Sequence, residues 1–308
     1  MSAPKPLHSH TAPLTELQAG VLRGVLVSEG FEFEERPYML YFGKKAKLTV
    51  AVYAKGPKAL IQGKGIEDFI MLVLEPRVLG EARFGYEEVL SPELFEPHFG
   101  IDESGKGDFF GPLVICGAYV NPAIARSLKD AGVRDSKAIT SDKKIRELAA
   151  TIRRLKVPTS TVMIAPPRYN DLYRKIGDLN RLLAWGHARA IEDLCQLCPD
   201  CPRALSDKFA HGRVLERALM ENGRKLVLEQ RTKAESDYAV AAASILAREK
   251  FIDWLEAKGA EIGSVIPRGV SANVKNTAIE LIRSRGPEVL EGLAKTHFKT
   301  AAEVLAAA

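Results

Sequence analysis

No run of apolar residues in this 308-residue chain approaches the roughly 20 that a membrane-spanning helix needs, which excludes a helical membrane anchor. The N-terminus also lacks the charged-then-apolar pattern of a secretory signal, so a soluble, cytoplasmic protein is expected. Cysteine is scarce: of four, three sit at Cys195, Cys198 and Cys201. Ala204 and Leu205 follow where an iron–sulfur pattern would need its fourth ligand, and only His187 or His211 is near enough in sequence to complete a zinc site. Reduced thiols between a helix end and a strand start are the favoured reading, with metal as the alternative. No internal repeat is evident. One missing side chain removes a further class. Residues 100–106 satisfy the G-x-x-x-x-G-K part of a phosphate loop, but Gly107 stands where a Ser or Thr should hold the metal, and Asp102 and Glu103 put two anions inside the loop.

What is present is ordinary in bulk and uneven in distribution. The apolar fraction of 46% predicts a proper core, and the length allows two domains. Net charge is +5, yet residues 1–97 carry 11 basic and 13 acidic side chains while the remainder carries 33 and 26. Within the first part, Arg36, Lys44, Lys45, Lys47, Lys55, Lys58 and Lys64 follow one another with no acid until Glu67.

Residues 1–13, which include His8 and His10, read as a mobile tail. Leu14, Leu17, Val21 and Val25 recur at helical spacing, with Gly30 near the end. Strands are expected over 46–54 and 58–62 and a helix over 66–74, making a small α+β domain of residues 14–92. A second domain, 97–308, opens with a strand over 100–103 that can pair with 113–120 as a hairpin. A helix from about Thr140, capped by that hydroxyl, a strand over 159–164, a helix over 178–194, a strand over 203–209 and a small-residue helix over 235–250 follow. Strands interleaved with helices predict an α/β core.

Neighbouring carboxylates in a strand point to opposite faces, so Asp102 and Glu103 can share one site only where the strand ends and the chain turns. Gly105 and Gly107, around Lys106, supply that turn and leave bare amides for an anionic chain. Asp207 and Glu235 fall at a strand end and a first helical turn, and such ends can converge at one sheet edge. Four anions brought together imply a divalent cation, and oxygen-only ligation selects Mg²⁺ or Mn²⁺. Asp237 lies close enough to Glu235 to take its place, and Asp108 either orients the loop or caps the next strand.

The run Asp-Glu-Ser-Gly-Lys-Gly-Asp-Phe-Phe-Gly-Pro-Leu from Asp102, the triplet Asp135-Ser136-Lys137, Ser206-Asp207-Lys208-Phe209, and Lys233-Ala234-Glu235-Ser236 before Ala-Val-Ala-Ala-Ala-Ser-Ile-Leu-Ala-Arg together resemble bacterial ribonuclease HIII, of the type 2 ribonuclease H family. The resemblance covers residues 98 to about 300, and Lys295-Thr296-His297-Phe298-Lys299 is similar to the family's end. Ribonuclease HII shares the metal site but carries Arg between the glycines, with Pro soon after. The clustered cysteines are not part of the pattern.

The resemblance implies a ribonuclease H-like core, a mixed central sheet flanked by helices, preceded by a TATA-box-binding-protein-like substrate-binding domain in which Gln62-Gly63-Lys64 falls. It implies Asp102, Glu103, Asp207 and Glu235 as catalytic and metal-binding residues, holding two Mg²⁺ or Mn²⁺ ions with substrate bound. Gly105, Lys106, Gly107, Ser136 and Lys137, with Lys47, Lys58 and Lys64 of the first domain, are the expected substrate contacts. The implied activity is hydrolysis of the RNA strand of RNA–DNA hybrids, leaving 5′-phosphate and 3′-hydroxyl ends, in the removal of RNA from DNA during replication and repair. A monomer with no obligate protein partner is expected. The rivals are ribonuclease HII-type cutting at single embedded ribonucleotides, a resolvase- or transposase-like metal nuclease, and a non-catalytic RNA-binding protein on the same fold.

Overall fold

The computed structural model describes residues 7, 9–80, 87–133, 139–209, 213–232 and 234–308. It divides into two compact units, Met1–Glu93 and Leu94–Ala308.

In the first unit, strands β1 (Ser9–Pro13), β2 (Glu32–Glu34), β3 (Met39–Lys45), β4 (Leu48–Tyr53) and β5 (Lys58–Gly63) form one antiparallel sheet in the order β1-β5-β4-β3-β2. Residues 9–13 are therefore not a tail. They pair with β5 from Ser9 opposite Gln62 to Pro13 opposite Lys58, and Ala12 is buried. An edge strand tolerates Pro at its end, and its partner strand supplies the order that its own composition does not.

Helix α1 (Glu16–Ser28) starts at a capping box in which Thr15 and Gln18 exchange hydrogen bonds. It buries Ala19, Leu22 and Leu26, while Leu17 and Val21 are 79% and 41% exposed. The apolar face is thus displaced from the expected one, because Leu14 precedes the cap and spacing counted from it does not run along the helix. Helix α2 (Ile66–Phe69) continues into a wider, π-helical stretch, Ile70–Leu79, and α3 (Glu87–Leu90) follows.

The second unit is built on a five-stranded mixed sheet of β6 (His98–Ser104), β7 (Leu113–Val120), β8 (Thr159–Ile164), β9 (Arg203–Asp207) and β10 (Val227–Arg231), in the order β10-β9-β6-β7-β8. The expected hairpin forms between β6 and β7, from His98 opposite Val120 to Ser104 opposite Val114. β8 pairs antiparallel with β7, whereas β9 runs parallel to β6 and β10 parallel to β9. The helices are α4 (Pro122–Asp130), α5 (Asp142–Arg154), α6 (Pro166–Ile176), α7 (Leu179–Leu197), α8 (Val214–Ala218), α9 (Tyr238–Ile262), α10 (Ala272–Arg285), α11 (Val289–Leu293) and α12 (Lys299–Ala307).

Strand alternation gives the sheet two apolar faces. Val114, Cys116 and Ala118 pack with α5 and α9, while Phe99, Ile101, Leu113 and Ile115 pack with α7. The alanines of α9 bring it against β6 so closely that a Cβ on Gly100 would lie 2.2 Å from the Val240 nitrogen. Two helix starts differ from expectation. Ser141, not Thr140, caps α5 by accepting from the Lys144 amide. Asp237 caps α9, and Glu235 lies in a separate 3-10 turn, Ala234–Ser236, ahead of it.

Candidate active site

β6 delivers Asp102 to the α9 side of the sheet and Glu103 to the α7 side, one residue before the strand ends at Ser104. Asp102 is buried, accepts from the Glu103 amide at 2.8 Å and is hydrogen-bonded to the Ser244 side chain of α9. Burial first, then the charges of Glu103 and Asp207, raise its carboxyl to about 6 despite those hydrogen bonds. Glu103 goes the other way. Burial alone would raise it, but His187 and Lys106 outweigh burial and hold it down at about 2. His187 Nε2 lies 3.0 Å from Glu103 Oε2, and Lys106 Nζ donates to Oε1 at 2.6 Å. His187 is fully buried in mid-α7, its Nδ1 lies 3.0 Å from Ser206 Oγ, and its ring sits 4.7 Å from that of Phe209.

Asp102, Glu103, Ser104, Gly105, Lys106, Gly107, Asp207, Ser244 and Arg248 line one cleft of about 300 Å³. A larger groove, about 490 Å³ along the C-terminal half of α9, has a mostly apolar wall with one acid, Glu256, in its lining. Asp207 ends β9, and its Oδ1 accepts from the Ala234 amide at 3.4 Å, so the turn carrying Glu235 abuts the cleft through its backbone. The Glu235 side chain lies outside the described part of the structure, as do Ser136, Lys137 and His211. Among the described residues, no three His, Cys, Asp or Glu side chains form a ready-made metal cluster.

Asp237 is engaged elsewhere. Its carboxylate is buried, caps the Ala239 and Val240 amides, and lies 2.8 and 3.0 Å from His98 Nε2. Asp108 orients the loop: its carboxylate accepts from the Gly269 amide at 2.6 Å, and its own amide donates to Gly105 at 3.4 Å. Lys47, Lys58 and Lys64 are exposed in the first unit but do not form one cluster. Lys47 and Lys64 share one end of the sheet, joined by a 3.2 Å backbone hydrogen bond, and Lys58 pairs with Tyr53 at the other.

His187, Ser206, Ser244 and Arg248 belong to this surround without having been singled out from sequence as parts of it. The available signals were a histidine on the buried face of α7 and, in α9, a polar pair one turn apart in an otherwise alanine-rich helix. His187 is committed to Glu103 and Ser206 and so does not serve the cysteines. Cys195, Cys198 and Cys201 are free thiols, and burial pushes Cys195 and Cys201 up to about 11.

Residues 99–301 match the family profile described as Ribonuclease HII. Over 280 residues the chain is 42% identical to Ribonuclease HIII of Protochlamydia amoebophila (strain UWE25), covering 91% of each chain. The chain belongs to the ribonuclease HIII family. It is 40% identical to Ribonuclease HIII of Chlamydia muridarum, over 92% of this chain and 93% of that one. The crystal structure of Bst-RNase HIII in complex with Mn²⁺ superposes with a TM-score of 0.67 at 27% identity, covering 97% of this chain and 98% of that chain. Aquifex aeolicus RNase H3 gives 0.56 at 30% identity, over 94% and 100%. The profile covers only the second unit, whereas the ribonuclease HIII relatives match across both. As a member of this family the chain is a ribonuclease H.

Proposed function

We propose that this ribonuclease H hydrolyses the RNA strand of RNA–DNA hybrids using two divalent ions, Mg²⁺ or Mn²⁺, and leaves 5′-phosphate and 3′-hydroxyl ends, in the removal of RNA from DNA. The observation that carries this reading is the end of β6, where two carboxylates enter a cleft with Asp207 immediately before a glycine-flanked lysine.

The donor set fits hard divalent cations. It is all oxygen, and burial first, then the charges of Glu103 and Asp207, raise Asp102 to about 6, a carboxylate whose ionised form a bound cation would favour. Asp102, Glu103 and Asp207 would hold the ions, with Glu235 completing the set from its turn beside Asp207. Such ions, when bound, supply an activated water and stabilise the departing 3′ oxygen. Mn²⁺ in the related Bst-RNase HIII structure agrees with this.

The chain's own contribution is orientation. His187, steadied by Ser206, fixes one oxygen of Glu103 and thereby its carboxylate plane. Lys106 is half-exposed beside the other oxygen, where its ammonium can meet a phosphate. Gly107 has an ordinary φ, and a Cβ there would meet nothing within 4 Å. Its lack of a side chain therefore has no internal cause and leaves backbone open to an approaching RNA strand, near the 2′-hydroxyl that distinguishes RNA from DNA. In the first unit, the lysines at the two ends of β4 and β5 lie about 20 Å apart by strand rise, a span that suits separate phosphates of a duplex rather than a single anion.

The test compares RNA–DNA hybrid, duplex DNA, duplex RNA and a duplex bearing one ribonucleotide, each with Mg²⁺ and with Mn²⁺. The expected result is cleavage throughout the RNA of the hybrid to 5′-phosphate products, with weak cutting of the single-ribonucleotide duplex under Mg²⁺. Strong cutting of that duplex under Mg²⁺ would favour ribonuclease HII-type action, and an intact hybrid would overturn the proposal.

A further inference from the structure

Lys295, between α11 and α12, is 0% exposed. A buried lysine demands partners. Its ammonium donates to the carbonyl oxygens of Gly111 at 2.7 Å and Asp108 at 2.9 Å, with that of Phe110 at 3.5 Å, and the Tyr169 ring centroid lies 5.7 Å away. An ammonium has three N–H donors for three carbonyls, whereas a neutral amine has two. Burial pushes Lys295 down to about 7, and the Asp108 charge opposes that shift.

Backbone contacts reinforce the same grip. The Gly111 amide donates to Leu293 at 2.9 Å, the Lys295 amide to Phe109 at 2.8 Å, and Phe110 bridges Ala294. Asn170 of α6 brackets the gripping segment, donating to the Ala294 carbonyl at 3.0 Å and accepting from the Thr296 amide at 3.0 Å. The gripped residues follow Gly105-Lys106-Gly107 directly. β6 fixes one side of that turn, and the C-terminal segment fixes the other.

We propose that Lys295 is a positioning residue for the substrate loop: its buried ammonium fixes the carbonyls of Asp108, Phe110 and Gly111 and so sets where Gly105-Lys106-Gly107 stands relative to Asp102 and Glu103. This rests on the reading above that the glycine-flanked turn presents the RNA strand. Methionine at 295 would fill much the same volume while leaving the carbonyls without a donor, so its effect separates the clamp from packing.

The experiment uses the full chain with Lys295→Met, with Asn170→Ala as a milder variant should the first fail to fold. Amide hydrogen exchange is followed by peptide, and hybrid cleavage is measured for kcat and KM. The expected result for Lys295→Met is exchange at least about tenfold faster over residues 105–111 with β7 and α9 unchanged, and kcat lower by about tenfold or more with KM changed less than threefold. Asn170→Ala should show the same local pattern at smaller size. Unchanged exchange over 105–111 in a folded variant, or an increase spread evenly through the unit, would overturn the clamp. A local increase with kcat and KM both unchanged would leave the clamp standing and overturn its link to the substrate loop. The exchange readout requires no catalysis, so failure of the functional reading is told apart from failure of the clamp.

Discussion

Asp102 and Glu103 are adjacent in the chain and opposite in electrostatic state, and the cause is what each face of β6 meets. Glu103 turns to a histidine and a lysine, whereas Asp102 turns to a serine and a sheet-side helix. A carboxylate raised to about 6 from 3.8 destabilises the fold when ionised: the cost is absent below pH 4 and fully present above pH 6. Asp102→Asn should therefore stabilise the metal-free protein at pH 8 by on the order of 2 kcal/mol and do nothing at pH 3.5, as read by melting in a chelator. Glu103 has the opposite sign. Held at about 2, its ionised form stabilises the fold above the ordinary glutamate range, and that contribution is lost as pH falls toward 2. A destabilised Asp102→Asn at pH 8 would contradict this account of the cleft. Gly107→Ala offers a second residue-level check: melting within about 0.5 kcal/mol of the parent, but weaker cleavage of the hybrid.

At the scale of elements, the site depends on how close β6 and α9 can come. A Cβ on Gly100 would lie 2.2 Å from the Val240 nitrogen and 2.3 Å from the Ala239 carbonyl carbon, backbone atoms that cannot turn aside. Gly100→Ala should cost more than about 3 kcal/mol or abolish soluble protein, measured by denaturant unfolding. The same scale shows what could be read from sequence. Asp102, Glu103 and the glycine-flanked lysine were legible because they are contiguous, and strand alternation limits how two neighbouring acids can share a cleft. The hairpin of β6 with β7 and the small-residue packing of α9 were legible from local pattern. β1 was not, since Ser-His-Thr-Ala-Pro has little strand preference and is ordered by pairing with β5. The face of α1 was misread because the Thr15 cap, rather than the first leucine, sets where the helix begins. His187 and Lys295 were hidden for a different reason: a buried polar residue is explained only by partners far away in sequence, here Glu103 and the carbonyls of residues 108–111.

For the whole molecule, the account divides labour between the units. On the proposed function, cleavage belongs to the second, and the exposed lysines of the first would bind additional phosphates. Deleting residues 1–93 should weaken hybrid binding by about tenfold or more and slow the bound reaction far less. The salt dependence of the remaining affinity should be shallower by roughly 0.9 in log–log slope for each phosphate that the shortened protein no longer neutralises. Unchanged affinity would remove the first unit from substrate binding. The central claim, that the carboxylates at the end of β6 perform the hydrolysis, is tested most directly by measuring hybrid cleavage and hybrid binding side by side for Asp102→Asn and the parent. The account predicts cleavage reduced by about a thousandfold or more with the dissociation constant within about threefold. Cleavage near the parent rate in the Asp102→Asn protein would contradict it.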